Sequence, residues 1–227
     1  MASRKILQYP DERLRVISDP VTLFGDALKS IVQDMVDTIE VQGGAGLAAP
    51  QIGVAQRVLV IKPKLFVEES PDVSYNSDYW ILINPVVRPR GAEQNWPEAC
   101  LSVPVNSGNV LRQEECEVKY QRLDGSENTV TVKWPLSGAV QHENDHLNGI
   151  LYVDRVGVME RSMIIRRIEK LNKHIGRLAE ARKEEDILDL RGPRALAAYR
   201  AEKTGKVMIE RKRTKPGKKF GKLKKQK

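Results

Sequence analysis

The chain has 227 residues and a mass of 25.6 kDa, enough to bury a full core and carry an appendage. A mean hydropathy of -0.44, with no apolar run approaching a membrane span, argues against a transmembrane protein, and two cysteines exclude a disulfide framework. The formal charge is +8, but residues 203–227 hold twelve Lys or Arg against one acid, Glu210, so the other 202 residues sum to about -3. The first twenty residues lack the apolar stretch of a signal peptide, and the expectation is a cytoplasmic protein.

In chain order, Leu28, Ile31, Met35 and Ile39 recur at three- and four-residue steps with Val32 and Val36 beside them. This predicts an amphipathic helix ending before Gly43 and Gly44. The β-branched run Arg57 to Lys62 predicts a strand, and Trp80 to Pro89 a second one closed by its proline. The acidic, serine-bearing stretch from Lys64 to Asp78 reads as an inserted surface loop. Cys116, Val118 and Tyr120 alternate with charged residues, and Asp124-Gly125 turns that strand into a hairpin with residues 128–134. From Leu136 the pattern is helical through His146 and stops near Gly149. A long helix from about Met159 to Asp186 follows, with Ile164, Ile168, Leu171, Ile175 and Leu178 on one face. A short helix after Pro193 precedes the basic end.

The helix beginning at Leu136 contains Gln141-His142-Glu143-Asn144-Asp145-His146, a match to H-E-x-x-H. Residues four apart share a helix face, so His142 and His146 can reach one ion with Glu143 beside its open position. There a carboxylate can accept a proton from an activated water and return it to a leaving group. A helix with two histidines and a salt-bridging glutamate is the bland alternative. Two ligands leave the site incomplete. His174 lies in the long charged helix and reads as a surface or half-buried residue. Cys116 reads as a small core residue of an alternating strand, which leaves Cys100, in the proline-bounded segment WPEACLSVP, as the better third ligand.

Three segments, taken together, resemble the peptide deformylase family. Gly44-Ala45-Gly46-Leu47-Ala48-Ala49-Pro50-Gln51 is similar to its G-x-G-x-A-A-P-Q signature, Glu98-Ala99-Cys100-Leu101-Ser102 to its E-G-C-x-S, and Gln141 to His146 to its Q-H-E-x-D-H. The likeness runs from Ile6 to about Asn172. It implies an α+β fold with antiparallel sheets around a central metal-binding helix, followed by the long C-terminal helix and basic tail. It implies a catalytic domain over 1–172 and a helical, Lys/Arg-rich extension over 173–227. It further implies hydrolysis of the N-formyl group of N-formylmethionine at the start of nascent polypeptides, with release of formate. Cys100, His142 and His146 would bind one divalent metal ion, with Fe(2+) expected physiologically and Zn(2+) or another divalent ion able to substitute. Glu143 would be general base and then acid, and Gln51 with the backbone N–H of Leu101 would stabilise the oxyanion. Gly44 and Gly46 would leave room for a bound peptide to pair as an extra strand. A pocket for an unbranched apolar side chain would be walled by Ala45, Trp96, Glu98, Pro135, Gly138 and Ala139, with Leu101 adding to them.

The segment departs from the family pattern in three places. Ala99 replaces the usual glycine, which would cost about 1 kcal/mol if that position needs positive φ. Asn144 replaces an apolar residue about 200° round the helix from His142, facing packing. Ser107 replaces a basic residue in the loop VNSGNV, and Arg112 beyond it is placed to pair with Asp145. A zinc peptidase is a weaker reading because the thiolate lies upstream. A non-catalytic ribosome-binding module is weaker because binding alone needs neither Gln51 nor Glu143. The polycationic end is either a solubilising tail or a contact to the ribosome; without aromatic interleaving beyond Phe220 it is not a sequence-specific nucleic-acid reader.

Overall fold

The computed structural model describes residues 3–67 and 78–180. The basic tail, the short helix after Pro193 and most of the acidic loop lie outside the described residues. Helix α1, Asp26–Gln42, buries Leu28, Val32, Met35, Val36 and Ile39. Gly43 ends it in the left-handed region at φ 75°, its N–H bonding back to Ile39 O at 2.8 Å. Five strands follow: β1 Gly46–Ala48, β2 Val58–Ile61, β3 Trp80–Cys100, β4 Val103–Gln121 and β5 Glu127–Lys133. They pair in sequence order, all antiparallel, as one five-stranded sheet. Helix α2, Leu136–Leu147, touches all five strands and is buried around most of its circumference. This is the expected α+β architecture.

Two expectations about the strands need correction. Pro89 does not close a strand, because β3 runs on to Cys100 through Pro89 and Pro97. Only Trp80–Ile83 of β3 pair with β2; beyond a register shift between Ile83 and Val86 its ladder is to β4 alone. On a strand with one free side a proline need not sacrifice a ladder hydrogen bond. Likewise VNSGNV is not a loop but part of β4, with Ser107 opposite Ala99 and Gly108 opposite Glu98. The hairpin turn is as expected, with Gly125 at φ 83°.

Three apolar clusters pack around the sheet, one of them joining Val103 and Val110 of β4 to Ile164 and Ile168, and the other two flanking it. Of the flanking two, one joins α1 to Leu47, Val58, Val60, Ile81 and Ile83; the other joins Val140 and Leu147 of α2 to Ala48, Leu59, Leu82, Cys116, Val118 and Tyr120. Cys116 is fully buried and its thiol is pushed up to about 12 by burial, as befits a core residue. Helix α3, Val158–Glu180, buries Ile164, Ile168, Leu171 and Ile175, and His174 on it is half-buried. It continues unbroken past residue 172. Among the described residues no helix is long and apolar enough to cross a membrane.

Candidate active site

Three elements converge on one cleft of about 390 Å³: the β1 edge with the turn Ala49–Ile52, the end of β3, and α2. Its lining includes Gly44, Ala45, Gly46, Gln51, Trp96, Glu98, Cys100, Leu101, Gly138, Ala139, His142 and Glu143. Pro135 is not among the lining residues. It sits one turn back, at the N-cap of α2, and Gly138 and Ala139 present the helix to the cleft instead. Phe66 lines the cleft too, although the sequence places it in a surface loop. Trp96 is braced edge-on by Trp134, with ring centroids 4.9 Å apart, and a Cβ on Gly138 would come within 3.0 Å of Trp134.

At the floor of the cleft, donor atoms of Cys100, His142 and His146 lie within 4.8 Å of one another. Cys100 Sγ is 3.3 Å from His146 Nε2. Ordinary metal–ligand bond lengths at a tetrahedral ion separate a thiolate and an imidazole nitrogen by about 3.6 Å, so a thiolate and two imidazoles here suit a divalent cation. The electrostatics agree. Burial opposes a charged His142, but Cys100 Sγ and the Glu98 carboxylate raise it well above its ordinary value. Burial and the neighbouring His142 hold His146 well below its own.

Glu98 is not simply a pocket wall. It is 3% exposed, sits 2.7 Å from His142 Nδ1 and accepts Arg112 Nε and Nη2 at 2.6 and 2.9 Å. That leaves His142 Nε2 for the cluster and fixes the ring. Burial pushes Glu98 up, but bonds from His142 and Arg112 outweigh it and bring it down to about 2. Arg112 Nη1 also donates to Asp145 at 2.6 Å, the pairing its position predicts, and Arg155 forks onto the same carboxylate at 2.5 Å. Arg155 carried no sequence signal, whereas Glu98 had one: two residues before Cys100 on a strand, it points to the same side.

Gln51 is equally constrained. Its Oε1 accepts Ala48 N–H at 2.8 Å, which turns Nε2 toward Ser102 Oγ at 3.2 Å and Cys100 Sγ at 3.5 Å. The neighbouring backbone N–H of Leu101 lies in the tight turn between β3 and β4. Glu143 is 7% exposed and its Oε2 has no hydrogen-bond partner among the described residues. Burial, with the nearby Glu98 charge and against the pull of His142 and Arg112, pushes it up to about 7. Gln141 ties α2 to β4, donating to Gln113 O at 2.8 Å and accepting Gln113 N–H at 3.2 Å. The departures from the family pattern leave this floor intact. Ala99 is not in the positive-φ region, Ser107 is exposed on β4, and Asn144 faces away from the cleft.

The sequence profile described as polypeptide deformylase matches residues 3–162. A peptide deformylase of Acidobacterium capsulatum is 39% identical over 173 residues, covering 76% of this chain and 98% of that protein. Among solved structures, a peptide deformylase from Legionella pneumophila superposes with a TM-score of 0.68 at 37% identity, covering 80% of this chain and 99% of that one. One from Synechococcus elongatus in complex with actinonin gives 0.63 at 31% identity, covering 72% and 85%. Matches of this extent, over a cleft with this donor set, place the chain in the polypeptide deformylase family.

Proposed function

We propose that the chain removes the formyl group from N-formylmethionine at the start of nascent polypeptides, using Cys100, His142 and His146 to hold one divalent cation. The observation that carries this reading is a buried Glu143 carboxylate in the same cleft as Cys100 and His142, whose donor atoms and that of the buried His146 lie within 4.8 Å of one another. When bound, the ion supplies Lewis acidity that makes water nucleophilic near neutral pH. A thiolate with two imidazoles is a borderline-soft set that suits Fe(2+), which we take as the physiological ion, and Zn(2+).

The chain's residues then divide the work. Glu143 takes the proton of the attacking water and hands it to the departing α-amine; a carboxyl near neutrality is suited to both transfers. Gln51 Nε2, held by the Ala48 N–H bond to its own Oε1, donates to the oxygen on which negative charge develops, and Leu101 N–H donates beside it. The short β1 strand is an edge of the sheet, so the peptide backbone can add to it, and Gly44 and Ala45 keep that edge open. The methionine side chain lies among Trp96, Phe66, Gly138 and Ala139. Binding of actinonin by the Synechococcus relative is in keeping with a peptide-shaped cleft.

Formate release from formyl-Met-Ala-Ser by protein loaded with Fe(2+) or Zn(2+) under nitrogen tests the reading, with Glu143→Ala as control. Metal-dependent turnover that the control loses supports it; a folded, loaded chain that releases no formate overturns it. We assign residues 1–172 to the catalytic unit and 173–227 to an extension that contacts the ribosome in the cytoplasm, on the strength of its clustered charge. Ribosome pelleting of the full chain and of a chain ended after Thr204, at low salt, checks this. Equal pelleting of the two would discard it.

A further inference from the structure

Alternation along a strand puts Gly46 and Ala48 on one face of β1. Ala48 is fully buried in the cluster that contains Val140 and Leu147, so this face looks at α2; Leu47, on the other face, packs with α1. A methyl group is accommodated at 48, whereas at 46 it would require Glu143 to move. A Cβ on Gly46 would lie 2.6 Å from Glu143 Oε1, 3.0 Å from its Cδ and 3.1 Å from its Cγ. At Gly44 a Cβ would meet chiefly Leu101 Cδ1, the free end of a flexible side chain, at 2.9 Å. The φ of Gly46 lies outside the left-handed region, so its backbone does not demand glycine. What excludes a side chain is the Glu143 carboxylate.

That carboxylate has little else to locate it, since Oε2 has no hydrogen-bond partner among the described residues. We infer that Gly46 is a positioning residue for Glu143: its bare Cα is the wall against which the carboxylate rests. That wall sets the distance of the proton acceptor from the Cys100, His142 and His146 cluster. The inference rests on the proton-handling role proposed for Glu143 and adds to it. The glycine pair then serves two purposes, Gly44 opening the edge for peptide and Gly46 seating the base.

The test is a double-mutant cycle of Gly46→Ala and Glu143→Ala in the full-length, metal-loaded chain. In the presence of Glu143, Gly46→Ala should lower kcat by about 10- to 100-fold, the scale of a misplaced reacting group, while KM and metal content stay within about twofold. In the Glu143→Ala background, the same substitution should change the residual rate by less than about twofold, because no carboxylate is left to displace. A loss of equal size in both backgrounds, or one carried by KM, would overturn the inference and return Gly46 to peptide pairing. Thermal stability gives a readout independent of turnover. Crowding should lower the melting temperature of Gly46→Ala by about 3–10 °C, and Glu143→Ala should restore it. A double variant as unstable as Gly46→Ala alone would show that the methyl clashes elsewhere. If the wild-type chain released no formate, the proposed activity would fall while this stability cycle still judged the contact.

Discussion

The two faces of α2 are both drawn into the protein, yet they treat polar groups differently. On the cleft face, His142 is aimed by Glu98, and Glu98 is clamped from behind by Arg112, which with Asp145 borders the rear cleft. The orphaned atoms there, Glu143 Oε2 and His146 Nδ1, belong to residues of the candidate site. On the rear face, Asn144 and the C-cap residue Asn148 border two clefts with Val87, and Asn144 Oδ1 has no partner among the described residues. Buried polarity is costly on either face. Only on the cleft face does the arrangement return something for it, an imidazole fixed in place and a carboxyl held among the proposed ligands.

The sharpest way to break the contrast is to remove the proposed proton carrier. Glu143→Ala should lower kcat by about 10²- to 10⁴-fold, the range of general acid–base catalysis, with metal content unchanged by elemental analysis. A small loss would mean that the cleft face is as idle as the rear one. Next is the strut between the faces. Arg112→Leu leaves Glu98 and Asp145 buried with one guanidinium fewer, and unfolding in urea should show a loss of about 3–5 kcal/mol. Arg155 still reaches Asp145, so Glu98 is the group left most exposed to that loss.

The same network carries a pH signature. Glu98 sits near 2 when folded and at an ordinary 4.5 when unfolded, so its pairing contributes stability above about pH 4.5. That contribution disappears as the pH falls through the folded value. The melting-temperature gap between wild type and Glu98→Gln should therefore be widest near neutral pH and narrow between about pH 4.5 and 2. A gap independent of pH would assign Glu98 a packing role only.

Much of the site was legible because it is local. Two histidines four residues apart on a helix share a face whatever surrounds them, and the order of the three motifs supplied the thiol and the glutamine. What escaped depends on register and on distant packing. Glu98 meets Arg112 although the β3 residue paired opposite Arg112 is Gln94, four residues earlier, whereas the bond from Arg112 to Asp145 is the expected one. No periodicity announces the Glu98–Arg112 contact, so Glu98 read as a wall. The length of β3 was hidden by prolines, which interrupt a ladder only where the strand on the N–H side needs that donor. Phe66 was hidden by the loop-like composition around it, and Pro135 was placed in the pocket although the helix offers Gly138 and Ala139 instead.

The smallest predicted effect tests the rear face directly. Asn144→Leu removes an orphaned acceptor and lets an apolar side chain pack beside Val87 and Ile150, which border the same cleft. Stability should rise by about 1 kcal/mol, since an unsatisfied acceptor costs at least that much. The formate release rate should change by less than about twofold, because Asn144 touches no residue of the cluster and the His142 and His146 rings keep their partners. Urea unfolding and turnover measured on one preparation separate the outcomes. A stabilised enzyme with normal turnover would show that the rear face tolerates its polarity without using it. A drop in turnover would show instead that the helix transmits rear packing to the ligand rings, and the contrast between the faces would be one of degree.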